Sequence, residues 1–224
     1  MMIELDLQLC GEERVRNWVG NGIPKLIERA LIDKLDKESI SKVYEVAYPI
    51  FLKLYSDNSA IRSRLYDGVK EGLDYLKSKG YLLGCVTNKA EQFTNPLLKK
   101  MGIYNDFRLI ISGDTLDKKK PDPLPLLHGA NFFNMQPNEC LMLGDSVSDV
   151  RAARAAGFDI ICMSYGYNHG NNIEDANPDL VIDSMDQLKE HLGEFNLSNI
   201  INNLLLEAIL ESQKEQTNDL SKPE

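Results

Sequence analysis

Three short segments of the chain hold residues whose types and spacing could do chemistry. Thr87-Asn88-Lys89 follows an apolar run that ends at Val86. Gly144-Asp145-Ser146 follows a second apolar run, and Asp149 comes one helical turn after it. Lys118-Lys119-Lys120-Pro121-Asp122-Pro123 is a loop in which two prolines fix the backbone just after Lys120. Asp145 is a hard oxygen ligand suited to Mg²⁺. Thr87 offers a hydroxyl, and the N–H groups that open the following helix favour an anion. Lys120 offers a point positive charge. Together these groups make a site for a phosphate and Mg²⁺. Taken singly each has a plainer use: Thr-Asn and Gly-Asp-Ser as helix caps, Lys-Pro-Asp-Pro as a rigid exposed turn.

The order of the elements brings the segments together. Tyr81–Val86, Leu109–Ile111, Cys140–Leu143, Ile160–Met163 and Leu180–Ile182 are short apolar runs that predict strands. Helical spacing is predicted over Gly68–Lys79, Glu91–Met101, Pro123–Phe133, Val147–Ala156 and Met185–Leu192. Strands that alternate with helices imply an α/β fold with a mostly parallel sheet. In such a sheet ligands bind outside the carboxyl ends of the strands. Thr87 and Asp145 therefore point at one crevice. Residues 1–64 read differently: Glu12–Trp18, Ile23–Lys34 and Glu38–Tyr55 are helical and no convincing strand interrupts them. The predicted organisation is a helical cap domain at 1–64, an α/β core at 65–194, and at 195–224 an extra amphipathic helix with a disordered tail.

Composition sets bounds on partners. The 224 residues are 43% hydrophobic and 26% charged, ordinary values for a globular protein. A net charge of −9 provides no broad field for a phosphate backbone, so nucleic acid is disfavoured as a partner. A small anionic substrate remains compatible with local cations and a metal. Cys10, Cys85, Cys140 and Cys162 show no CxxC pairing, which argues against zinc and for a reducing, cytoplasmic setting. No apolar run approaches the roughly 20 residues of a membrane span, and the acidic start does not resemble a secretory signal.

The three segments resemble the second, third and fourth motifs of the haloacid dehalogenase superfamily of phosphatases: strand-end Thr87, Lys120 in KKKPDP, and GDSVSD at Gly144–Asp149. Within it the chain resembles the bacterial phosphoglycolate phosphatase subfamily. That likeness rests on RNWVGNG at Arg16–Gly22, VTNK at Val86–Lys89 and YGYNHG at Tyr165–Gly170. The resemblance implies a Rossmannoid parallel-sheet core with a mobile helical cap, and Mg²⁺-dependent phosphomonoester hydrolysis through an aspartyl-phosphate. It implies that Asp145 and Asp149 serve the metal, with Asp149 acting through water or holding Lys120. Thr87, Asn88 and Lys120 would bind the phosphoryl group. A substrate carboxylate would meet the Gly20-Asn21-Gly22 loop, with Arg16, Lys25 and Arg29 as nearby cations. The implied partner is a small phosphomonoester, foremost 2-phosphoglycolate, with sugar phosphates, an amino-sugar 6-phosphate and pyrophosphate as rivals.

One family feature is absent. The superfamily's first strand ends in DxDGT, which supplies the nucleophile and the general acid/base, and this chain has no DxDGT. The first core strand is thus expected to be missing from between the strands that carry Thr87 and Asp145. A chain that starts several dozen residues late is the leading explanation, and an inactive relative kept for binding is the second. The empty slot predicts that the two flanking strands close up, that Met2–Leu9 substitutes, or that the protein is poorly stable. Beyond the core, Leu197, Ile200, Ile201, Leu204, Leu205, Ala208 and Ile209 form an apolar stripe at helical spacing. A helix there would pack on its own core, or pair with its copy in a homodimer.

Overall fold

A computed structural model describes residues 1–16, 18, 22–58, 63–166, 172–195, 203–206 and 210–212. The cap comprises α1 (Glu12–Arg16), α2 (Ile23–Ile32) and α3 (Lys37–Asn58). Pro24 stands in the first turn of α2, where the missing N–H costs nothing. The apolar positions of α2 fall on one face, and Ile27 and Leu31 are fully buried there against Ala47 of α3. Met1, Leu5 and Leu7 pack on the same small cluster. Met2–Leu9 therefore belongs to the cap: it makes a single 3₁₀ turn at Ile3–Leu5 and no strand.

The core follows as β1 (Ser63–Leu65), α4 (Val69–Ser78), β2 (Leu82–Val86), α5 (Glu91–Lys100), β3 (Leu109–Ile111), α6 (Leu124–Phe133), β4 (Leu141–Gly144), α7 (Val147–Ala156), β5 (Asp159–Met163), β6 (Leu180–Ile182) and α8 (Leu188–His191). Two strands complete it, β7 (Asn203–Leu206) and β8 (Leu210–Ser212). Six strands form one sheet in the order β3-β2-β7-β4-β5-β6, and every pairing in it is parallel. Successive residues of a strand face opposite sides. Leu141, Leu143 and Ile161 accordingly join Leu73 and Leu76 of α4 on one face. Met142, Ile160 and Cys162 join Leu126 of α6 and Ala152 and Ala153 of α7 on the other. Each fully buried leucine of this set contributes about 1.5–3 kcal/mol relative to exposure. The four cysteines are free and buried. Among the described residues, no helix is long and apolar enough to cross a membrane.

The C-terminal segment corrects the sequence reading. Asn203–Leu206 is a strand and not part of a helix, and it fills the slot between β2 and β4. Leu210–Ser212 pairs antiparallel with Ser63–Leu65. The predicted helix fails on these residues, and the remainder of its stripe lies outside the described residues. The cause is physical. Leu204-Leu205-Leu206 is both a fragment of a helical stripe and a short continuous apolar run, and spacing cannot separate the two. The slot decides, since a helix would leave the facing edges of β2 and β4 without partners, while a strand satisfies both. The flanking strands do not close up on each other. Asn203–Leu206 and Leu210–Ser212 are thus integral to the fold, one strand in each sheet.

Candidate active site

The parallel sheet sets Thr87 and Asp145 at one edge, each directly after a strand. Thr87 N donates to Ile111 O at 2.9 Å, which extends the β2–β3 ladder by one bond. Lys89 N donates to Thr87 Oγ1 at 3.1 Å, so the hydroxyl already orients the turn that leaves the strand. Asn88 points across to the Lys118–Pro123 loop and donates through Nδ2 to Lys120 O at 2.8 Å. Gly113 lies against this turn. A Cβ there would stand 2.2 Å from Asn88 O, so only glycine allows the two loops to approach.

Lys120 turns inward, and its side chain has no exposed surface. Its ammonium donates to Val86 O at 2.6 Å and stands 3.0 Å from Asp149 Oδ1. A buried charge without a partner is strongly unfavourable, and this pairing offsets part of the desolvation cost. Asp149 is also fully buried. Its Oδ2 accepts from Asp145 N at 3.1 Å, Ser146 N at 3.0 Å and Ser146 Oγ at 2.7 Å. Ser146 and Asp149 thus form a capping box at the start of α7. Gly144 makes room, because a Cβ there would come within 2.5 Å of Asp149 Cβ. One carboxylate therefore fixes both the Asp145 loop and the Lys120 ammonium.

Asp145 is half-buried beside β5 and the turn after it. A Cβ on Gly166 would lie 2.2 Å from Asp145 Cβ, so the segment after β5 closes on it without a side chain between. Tyr165 stacks on Tyr66 with centroids 3.9 Å apart. Burial pushes the Tyr165 hydroxyl well above the ordinary tyrosine value, and the Tyr66 ring and the Asp145 charge add to the shift. In β2, burial pushes the Cys85 thiol up to about 12, against the lowering effect of Lys120, so it stays protonated and takes no part in the chemistry.

The cap reaches this edge at two points. Lys89 Nζ donates to the Tyr55 hydroxyl at the end of α3, and the ammonium lies 5.0 Å from the Tyr55 ring centre. The same ring meets Phe93 of α5 edge-on at 4.8 Å. The second point is Gly22, the residue before α2, where a Cβ would lie 3.1 Å from Lys119 Nζ. Gly20, Asn21 and His169 lie outside the described residues, as does the Arg16 side chain. Lys25 is committed to Glu28 at 2.7 Å, and Arg29 donates to Trp18 O at 2.8 Å.

The structure brings Thr87, Asn88, Lys120, Asp145 and Asp149 together. Sequence reasoning missed the Lys89–Tyr55 contact and the close approaches of Gly113 and Gly166. No local pattern signals these, since each depends on how distant elements meet. Among the described residues, no group of three or more His, Cys, Asp or Glu side chains is arranged to hold a metal ion. The donor chemistry nevertheless fits Mg²⁺, which is commonly held by one or two carboxylates together with substrate phosphate and water. Asp145 supplies such a carboxylate.

The chain is similar to known proteins over most of its length. The family model described as haloacid dehalogenase-like hydrolase matches residues 2–163. The phosphoglycolate phosphatase of Nitrosococcus oceani is 57% identical over 194 residues, which cover 87% of this chain and 86% of that protein. The phosphoglycolate phosphatase of Thiobacillus denitrificans is 44% identical over 185 residues, covering 83% and 82%. Among solved structures, a predicted phosphoglycolate phosphatase from Haemophilus somnus matches with a TM-score of 0.76 and 31% identity, covering 85% of this chain and 86% of that one.

Proposed function

For a chain that belongs to the haloacid dehalogenase-like hydrolase family, we propose a site for small phosphomonoesters, with 2-phosphoglycolate, giving glycolate and phosphate, as the substrate. The observation that carries this reading is the Lys120 ammonium, buried and held between Val86 O and Asp149 next to the Thr87 turn and the Asp145 loop. A preorganised cation at the carboxyl edge of a parallel sheet stabilises charge without reorganising when the substrate arrives. Thr87 and Asn88 orient the phosphoryl oxygens from the β2 side. Asp149 holds Lys120 in place and fixes the loop that presents Asp145. Asp145 would hold Mg²⁺, which when bound supplies Lewis-acid compensation for phosphoryl charge. The cap expels water and reads the rest of the substrate.

In the family the attacking carboxylate stands at the end of the strand between those of Thr87 and Asp145. Here Asn203–Leu206 holds that position, and the chain has no DxDGT. Weak or absent turnover by this chain alone is therefore expected. These two observations favour a second reading, a phosphate-binding protein without hydrolysis. Calorimetry with 2-phosphoglycolate in the presence of Mg²⁺, paired with a phosphate-release assay, separates the two. Binding with release supports the hydrolase, and preferential release over sugar phosphates, an amino-sugar 6-phosphate and pyrophosphate supports the named substrate. Binding without release supports the second reading. The absence of binding refutes the phosphate site itself.

A further inference from the structure

We propose that Lys119 is the specificity residue that takes the carboxylate of the substrate, an inference that rests on the phosphomonoester reading above. Adjacent lysines of one loop differ in burial. Lys120 enters the core and is held by Asp149, whereas Lys119 stays exposed and reaches toward the cap at Gly22. The Lys119 ammonium therefore lies at the seam where cap meets core, next in sequence to the cation that serves the phosphoryl group.

Among the described residues, five other cations of the cap and seam are already engaged. Lys25 pairs with Glu28, Arg29 binds Trp18 O, Arg14 and Lys34 share Asp33, and Lys89 donates to Tyr55. Among the described residues, the Lys119 ammonium has neither an ion pair nor a side-chain hydrogen bond. The nearby first turn of α2 contains no acid that could neutralise it. The pairing of Lys120 with Asp149 leaves that carboxylate wholly buried and turned away from solvent, so it offers Lys119 no counter-charge.

A ligand with two anionic ends a few bonds apart matches two adjacent lysines of this kind. Its phosphoryl group would lie at the sheet edge and its carboxylate at Lys119, against the cap. The recognised class is small phosphomonoesters that bear a carboxylate. A neutral alkyl phosphate would fill only the inner position.

The test uses the full chain with Mg²⁺ and three calorimetric probes: 2-phosphoglycolate, ethyl phosphate and inorganic phosphate. The wild type should prefer 2-phosphoglycolate to ethyl phosphate. Lys119→Gln should weaken 2-phosphoglycolate about tenfold, the scale of one charge-assisted contact, and leave ethyl phosphate within about twofold. Lys119→Arg should retain most of the preference. Lys119 is exposed, so an unchanged melting temperature is expected and confirms that the variant is folded. A Lys119→Gln protein that keeps the full preference overturns the proposal, as does a wild type that binds the two phosphate esters equally while still binding inorganic phosphate. In both cases the phosphomonoester reading stands. If the wild type binds none of the three probes, that reading fails and this proposal fails with it.

Discussion

The Lys120–Asp149 pair concentrates more of the site's organisation than any other contact described. Lys120→Met leaves a buried carboxylate without its partner, a change that costs about 3–5 kcal/mol of stability. Urea unfolding should show it. A double variant, Lys120→Met with Asp149→Leu, should recover part of that loss while remaining unable to bind phosphate, because an apolar pair of similar volume removes the unpaired charge. Any phosphate release that this chain supports should slow by about 10²–10³-fold in Lys120→Met, the range for loss of a preorganised charge. Asp145→Asn should abolish the Mg²⁺ dependence of that release. Gly166→Ala tests the geometry more finely. The added methyl would press into Asp145, so it should impair Mg²⁺ binding while Lys120 stays in place.

At the scale of elements, β7 carries the strongest expectation. Leu205 lies opposite Gly84 of β2 and Met142 of β4, bonded on both sides. Leu205→Pro removes a ladder N–H in the middle of the sheet and should lower stability by about 3 kcal/mol or more in thermal or urea melts. At the far side, Arg154 donates to both carboxylate oxygens of Asp179, and Ile160 N donates to Oδ2. Burial of Asp179 by itself would raise its pKa, but these donors outweigh burial and hold it below the ordinary 3.8. A lowered pKa means that this contribution is present at neutral pH and disappears as pH falls below 3.8 through the folded value. Asp179→Ala should therefore destabilise by about 1 kcal/mol at pH 7 and by less near pH 3. These elements also show what sequence reading can reach. Apolar runs such as Leu141–Gly144, with glycine and acid at the end, identify a strand and its loop from local pattern. The 204–206 run satisfied two patterns at once, and only the unfilled ladder between β2 and β4 chose between them. The site was legible to the same extent: Thr87, Lys120 and Asp145 fall at strand ends that order in the chain reveals. Lys119 against Gly22 and Lys89 against Tyr55 arise from the meeting of cap and core, which no local spacing encodes.

For the whole molecule the cap has its own small core, built on Ile27, Leu31 and Ala47, and among the described residues it meets the sheet edge at Tyr55 and Gly22. Tyr55 is the chief contact described, since it accepts from Lys89 and packs on Phe93. Tyr55→Ala should loosen the junction without unfolding either part. Hydrogen exchange at the end of α3 should become faster, and 2-phosphoglycolate affinity should fall more than that for inorganic phosphate, because only the larger ligand is expected to reach the cap. Equal losses for both ligands would place the effect at the phosphate site instead.

The position of β7 has a consequence for the history of each molecule. The strand at the centre of the sheet is synthesised after both of its neighbours and after every helix that covers them. A ribosome that has made β2 and β4 has produced two edges that have no partner yet, and they must wait for residues more than fifty positions further on. Parallel pairing across such separations is slow and leaves strand edges open to other chains. Whatever extended segment first enters the gap, from the same chain or another, decides whether the nascent sheet closes correctly. Chaperone dependence during synthesis, more than final stability, is where this architecture should show its cost.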